Sequence, residues 1–176
     1  MALTALYVAS LGFLLPLGLP LDMLVVLCII SPVLIIASSS DLVTRRLPDW
    51  CTAVVVLLAA FVAFSAGTII LNGIFAAAVL ALLWATSELY FRKYGHEALG
   101  LGDVKLMAAS ALWLGPVSFA YMVFLAASAG IIATLLGRIT SRESTNREVP
   151  FGPYLAYALF LTAALSAMPD IQDLAL

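Results

Sequence analysis

Residues 23–40 read MLVVLCIISPVLIIASSS, a run without a single charged side chain. A helix needs about 20 predominantly apolar residues to cross the hydrocarbon core of a bilayer. Asp22 precedes the run and Asp41 follows it directly. The stretch therefore predicts a membrane-spanning helix that ends at a carboxylate.

The composition of the whole chain agrees with a membrane protein. Of the 176 residues, 64% are apolar and only 10% are charged, whereas a soluble domain carries about 25% charged residues. A chain this short cannot hide so much apolar surface from water, but lipid can solvate the outer face of a helical bundle. The formal net charge is −2, and no basic run suggests a nucleic-acid partner.

The apolar pattern continues along the rest of the chain. Breaks divide it into seven candidate spans, at 3–19, 23–40, 51–71, 74–91, 104–114, 117–137 and 152–168. The fifth is too short to span alone unless it begins near Leu99, and the first is marginal. We expect an all-α, polytopic membrane bundle of about six to seven transmembrane helices. We expect it to form one domain over residues 1–176 with no soluble appendage.

The basic residues are distributed asymmetrically about these spans. Threading seven spans puts all eight of them on one side of the membrane, whereas the loops expected at 18–22, 72–73 and 115–116 contain none. The positive-inside rule makes the basic side cytoplasmic. The N-terminus is then cytoplasmic and the C-terminal tail lies outside. The basic residues are Arg45, Arg46, Arg92, Lys93, Lys105, Arg138, Arg142 and Arg147.

Two aspartates lie at the cytoplasmic edge in this topology. Asp41 ends the second span and Asp103 opens the fifth, so the hairpin between them can return both to the same depth. If they approach closely, both cannot ionise cheaply, and they share a proton. The charged member then takes a proton from water, and the neutral member donates to the carbonyl oxygen under attack. This is the chemistry of an aspartic peptidase, which needs no metal or cofactor.

Each aspartate also has a purely structural explanation. Asp103 can be the N-cap of a helix that begins at Val104, since Asp is among the best caps. Asp41 can be an interfacial carboxylate that pairs with Arg45 or Arg46. Paired carboxylates also act as a relay in small proton-coupled transporters or channels, although such acids are expected near mid-span. A third alternative is an inactive protein that binds a substrate without cleaving it.

Two glycines and a lysine surround Asp103. Gly100 and Gly102 allow a close backbone path along which a substrate strand can lie, although a plain flexible loop explains them equally well. Lys105 can act on the ionisation of Asp103 or hold a substrate carbonyl. It can equally be a lysine that snorkels to the membrane interface.

Three segments resemble a known family. Residues 100–105, GLGDVK, resemble the G-x-G-D-x-K signature of type IV prepilin leader peptidases, which are membrane aspartic peptidases of the GxGD class. Residues 41–49, DLVTRRLPD, resemble the family's other catalytic segment, where an aspartate precedes a basic stretch and an apolar-Pro-Asn/Asp turn. Residues 149–153, VPFGP, are similar to the family's P-F-G-P segment. The three occur in family order, and the resemblance covers residues 25–165.

The resemblance implies that Asp41 and Asp103 are the catalytic pair. It also implies a substrate, a prepilin-like protein whose short basic cytoplasmic leader is cut, typically after a glycine, just before a hydrophobic helix that stays in the membrane. The enzyme is expected in the inner membrane, with no cofactor, and the sequence leaves its oligomeric state open. The supporting motif residues are Gly100, Gly102, Lys105, Pro150, Phe151 and Gly152.

Longer members of that family carry an N-terminal cytoplasmic segment, often with paired CxxC motifs, that is associated with N-methylation of the new N-terminus. This sequence contains no CxxC motif. Its shorter architecture resembles the peptidases of Flp/tight-adherence pilus systems, or their archaeal preflagellin relatives. The segment at residues 3–19 favours the bacterial type.

Overall fold

The computed structural model describes residues 2–14, 20–44, 47–95, 99–140 and 150–168. Within these ranges the chain forms six α-helices and no strand, which confirms the expected all-α bundle. The helices are α1 (Ala2–Leu14), α2 (Leu21–Thr44), α3 (Asp49–Ser65), α4 (Ile69–Tyr94), α5 (Leu101–Thr140) and α6 (Gly152–Ser166).

Three of the six described helices have the length of membrane spans, and the outer surface of the bundle is apolar. Three segments are long and apolar enough to cross a bilayer, namely Leu21–Thr44, Ile69–Tyr94 and Leu101–Leu136. Large apolar side chains cover the outside of the bundle, and Phe64 and Phe124 are exposed by 74% and 70%. Such a surface is suited to lipid rather than to water. The chain is therefore a membrane protein.

The connection between α3 and α4 lies earlier in the chain than expected. The predicted break at 72–73 is wrong, because both residues lie inside α4. The turn falls instead at Gly67, whose φ of 71° is the left-handed conformation that glycine adopts without steric cost. The amide of Thr68 closes the turn by donating a hydrogen bond to the carbonyl oxygen of Ala63 at 2.9 Å.

A break divides α5 at Gly115, where φ is 70° and ψ is −180°. Pro116 follows, and it has no amide hydrogen to donate to the carbonyl oxygen of Leu112 one turn earlier. The side-chain amide of Asn72 donates to that oxygen instead, at 3.2 Å. Asn72 therefore satisfies the backbone group that the proline leaves open.

The two halves of α5 run in opposite directions. Just after the break, Ser118 lies at the end of α6, where its hydroxyl accepts a hydrogen bond from Ser166 at 3.2 Å. Further along, Gly130 packs against Phe151, which directly precedes α6. The first half of α5 and the whole of α6 both begin beside the end of α2. The break expected at 115–116 is thus a reversal of the chain, as the two predicted spans on either side of it require.

The core lies where α2, α5 and α6 meet. The helix α6 is the most enclosed of the six, and its small residues let neighbouring backbones approach closely. At one end of this core α2 ends and α3, α5 and α6 begin. We call this the site end, and it contains Asp41, Asp49, Asp103 and Gly152. Buried core residues include Leu27, Leu34, Val55, Leu106, Leu155 and Phe160.

Candidate active site

Asp41 lies in the last turn of α2 and is only 6% exposed. Its Oδ2 accepts a hydrogen bond from the backbone amide of Gly152 at 3.0 Å. Gly152 is the first residue of α6, and the first amides of a helix have no partner within the helix itself. The N-terminus of a helix also carries a partial positive charge. The helix α6 therefore holds the carboxylate of Asp41 in place.

The approach of α6 to Asp41 requires a glycine. A Cβ atom built on Gly152 would lie 2.6 Å from Oδ2 of Asp41 and 2.8 Å from its Cγ. No side chain fits there without displacing the carboxylate. The neighbouring Phe151 packs instead on Gly130, with its Cδ2 3.8 Å from the Cβ position of that glycine. Pro150 precedes them and is partly buried.

Asp103 lies in the first turn of α5. The amide of Val104 donates to the carbonyl oxygen of Gly100 at 3.1 Å, and the helix already begins at Leu101. The interpretation of Asp103 as the N-cap of a helix beginning at Val104 is therefore wrong. Its Oδ1 is buried and has no hydrogen-bond partner within the described ranges. A polar atom left in this state is costly, and catalytic sites are among the places that retain one.

The carboxylates of Asp41 and Asp103 lie within electrostatic range of each other. The end of α2 supplies one and the start of α5 supplies the other. The structure thus brings together the two aspartates that the sequence analysis singled out. The alternative pairing of Asp41 with Arg45 or Arg46 involves residues outside the described ranges. Across those ranges, no group of three or more His, Cys, Asp or Glu residues could hold a metal ion.

The two glycines before Asp103 have different surroundings. A Cβ atom on Gly102 would lie 3.0 Å from the Cβ of Leu47, in the segment that joins α2 to α3. Among the residues that the structure describes, a Cβ atom on Gly100 would meet only Oδ2 of Asp103, at 3.9 Å. Gly102 therefore lets the start of α5 pack against this connection, which follows Asp41 in the chain. At Gly100 the described residues leave space beside Asp103.

Lys105 pairs with an acid that the sequence analysis did not single out. Its Nζ donates to Oδ1 of Asp49 at 2.7 Å, and the two side chains are 50% and 80% exposed. Asp49 is the first residue of α3 and the last of the DLVTRRLPD segment. Its place in the apolar-Pro-Asp turn was the only signal that could have drawn attention to it. The ion pair ties the start of α3 to the start of α5.

The segments that carry Asp41 and Asp103 match a known protein family. Residues 28–135, which contain Asp41 and Asp103, match the type IV leader peptidase family. The chain is 33% identical over 125 residues to the prepilin leader peptidase/N-methyltransferase of Pectobacterium carotovorum subsp. carotovorum. The aligned region covers 70% of this chain and 45% of that protein. It is 36% identical over 147 residues to the type 4 prepilin-like proteins leader peptide-processing enzyme of Escherichia coli O78:H11. That alignment covers 80% of this chain and 51% of the relative.

The chain spans about half the length of these curated relatives. No solved structure matches it. The family match extends over more than half of the chain and includes the end of α2, the start of α5 and the helices between them. On this ground the chain belongs to the type IV leader peptidase family.

Proposed function

We propose that the chain is a membrane aspartic endopeptidase that removes the leader from type IV prepilin-like precursors. The observation that carries the proposal is the approach of two carboxylates at one end of a membrane bundle, the buried Asp41 and the half-buried Asp103, whose Oδ1 atom is buried. The names of the relatives supply the substrate class, since both describe enzymes that act on prepilin leaders.

In the proposed mechanism the two carboxylates share one proton, as in the aspartic protease dyad. The ionised member takes a proton from water while the water oxygen attacks the scissile carbonyl carbon. The neutral member donates its proton to the carbonyl oxygen. When the tetrahedral intermediate collapses, the C–N bond breaks and the carboxyl that took a proton from water passes it to the leaving amine. As the C=O bond re-forms, a hydroxyl of the intermediate returns its proton to the other carboxylate, which restores the shared-proton state.

The surroundings of the pair support this chemistry. The amide of Gly152 orients Asp41, so that this carboxylate does not need to be ordered during the reaction. The Oδ1 of Asp103 is buried and has no partner in the described part of the chain, so no hydrogen bond to a described residue competes with its role in proton transfer. Gly100 leaves space beside Asp103 for an extended substrate backbone.

We infer that the protein lies in the inner membrane and that its site end faces the cytoplasm. Arg92 and Lys93 lie in the last turn of α4, which ends beside the start of α5, and Lys105 lies in the second turn of α5. The turn between α3 and α4, at the opposite end, has no basic residue. Cytoplasmic loops carry the excess of Lys and Arg, so the site end is assigned to that side.

This orientation suits a precursor that is cut just before a hydrophobic helix. The leader remains in the cytoplasm, the helix remains in the bilayer, and the scissile bond lies at the membrane edge beside Asp41 and Asp103. A proton-coupled transporter or channel is the rival function, and it calls for acids near mid-span. Both aspartates lie instead in terminal turns of their helices, which favours the peptidase.

Co-expression with a prepilin-like precursor tests the proposed function. We expect wild type to convert the precursor to a faster-migrating mature form on a gel, and we expect Asp103→Asn to leave it uncut. Asp22→Asn, which changes an acid at the start of α2, is the matched control and should cleave as wild type does. A precursor that stays uncut with wild type, or that is cut with Asp103→Asn, contradicts the proposal.

A further inference from the structure

A groove of about 590 Å³ opens between α3 and α4, outside the carboxylate pair. The two helices each pack on α5 more extensively than on each other, so the first half of α5 forms the floor between them. The wall and floor are apolar and rich in small side chains. Those that line it include Ala53, Val56, Ala76, Ala77, Ala108 and Ala109.

The groove ends at the ion pair between Asp49 and Lys105, both of which line it. Lys105 lies two positions after Asp103 on the same helix, so this end of the groove reaches the same depth in the bundle as the carboxylate pair, on another face of α5. The other end reaches Leu112, close to the break in α5. The groove therefore runs along the membrane-spanning part of the bundle and leads to the site end.

The position of the groove restricts what can occupy it. A chain segment inside a bilayer must satisfy its own backbone groups, so an occupant of this depth is a helix. Small residues at a helix interface let two backbones approach closely, and alanines line the groove on all three of its helices. A polypeptide that occupies the groove is thus an apolar helix that packs on α3, α4 and α5.

We propose that the groove holds the hydrophobic helix of the substrate, which then passes Lys105 and presents the preceding peptide bond to Asp41 and Asp103. This inference rests on the proposed function. The charges at the groove's end are complementary to the products of that reaction. Hydrolysis leaves an ammonium group on the retained helix and a carboxylate on the leader. Their charges are opposite to those of Asp49 and Lys105, which pair with each other while the groove is empty.

Site-specific photocrosslinking tests the inference without requiring turnover. The full chain carries Asp103→Asn, so that the precursor is not consumed, and a photoreactive side chain at position 53 or 77. Position 78, which is exposed on α4 but does not line the groove, serves as the control. We expect crosslinks to the precursor from positions 53 and 77 and few from 78. We also expect them to vanish when a polar linker replaces the precursor's hydrophobic helix.

Crosslinks from positions 53 and 77 to lipid alone, or to a second copy of the chain, would overturn the inference. So would equal crosslinking to the precursor from position 78. These outcomes leave the proposed function untouched, because they do not depend on cleavage.

A second variant links the groove to catalysis. With both aspartates intact, Ala77→Phe fills the groove, whereas Ala78→Phe adds the same volume on α4 outside it. We expect Ala77→Phe to raise KM for the precursor at least tenfold with kcat nearly retained, and Ala78→Phe to leave both unchanged. If both variants cleave the precursor with equal KM values, the groove does not bind the substrate helix. Failure of wild type to cleave would refute the proposed function instead.

Discussion

The backbone amide of Gly152 donates a hydrogen bond to Oδ2 of Asp41 at 3.0 Å, and it does so across 111 positions of sequence. This contact joins the start of α6 to the end of α2. It also explains why a glycine stands at the first position of a helix, where its conformational freedom is not needed. The constraint is space, because a Cβ atom at this position would overlap the carboxylate.

We therefore predict that Gly152→Ala lowers the rate of leader cleavage at least about tenfold, which corresponds to about 1.4 kcal/mol in the activation free energy. The methyl group displaces the carboxylate of Asp41 from its oriented position. The measurement is the initial rate of leader removal by purified protein in detergent. Gly73→Ala is the control, since a Cβ atom there meets nothing within 4 Å. An unchanged rate for Gly152→Ala would contradict the orienting role of α6.

The two glycines before Asp103 should respond differently to alanine. Gly102→Ala forces a methyl group against Leu47, and we expect it to lower the free energy of unfolding by about 1 kcal/mol or more. Gly100→Ala introduces only an ordinary contact at 3.9 Å, and we expect a change within about 0.5 kcal/mol. Denaturation by SDS, followed by tryptophan fluorescence, measures both. Equal losses would contradict the described packing of α5 against the connection between α2 and α3.

Asn72 should be important for stability although it is far from the site. We expect Asn72→Leu to lower the free energy of unfolding by about 1–3 kcal/mol, because it removes the hydrogen bond that the buried Asn72 donates to the carbonyl oxygen of Leu112. Ser65→Ala is the control near the same turn, since that hydroxyl bonds only to its own helix. The same SDS titration compares them. A change no larger than that of the control would show that the break in α5 does not depend on Asn72.

The side of the membrane that the site end faces can be tested with reporter fusions. A fusion after Arg142 should report a cytoplasmic position, and a fusion after Gly67 should report the opposite side, because the basic residues are retained inside. Fluorescent-protein and alkaline phosphatase reporters distinguish the two. Phosphatase activity from the fusion after Arg142 would reverse the proposed orientation.

The sequence predicted well those parts of the fold that depend on local composition. The charge-free run at 23–40 lies within α2, because a long apolar stretch has few alternatives in a bilayer. The glycine and proline at 115–116 predicted a break, since proline removes a helical hydrogen bond. In both cases the deciding interactions lie within a few residues of each other.

The parts that sequence reasoning missed depend on contacts between distant segments. A break was expected at Asn72 and Gly73, but the side-chain amide of Asn72 donates a hydrogen bond to the carbonyl oxygen of Leu112 on another helix. The bond from Gly152 to Asp41 and the ion pair of Lys105 with Asp49 join residues that no local pattern relates. The role of the glycine in the P-F-G-P segment could therefore be assigned only once α6 was seen against α2.

The carboxylate pair is tested most directly by purified Asp41→Asn and Asp103→Asn proteins, each incubated with a prepilin-like precursor and analysed by mass spectrometry of the new N-terminus. The shared-proton mechanism predicts that wild type releases the leader at a single peptide bond and that each variant loses at least about a thousandfold in rate, or about 4 kcal/mol. Cleavage at the same bond by either variant at a rate near that of wild type would contradict the Asp41 and Asp103 dyad.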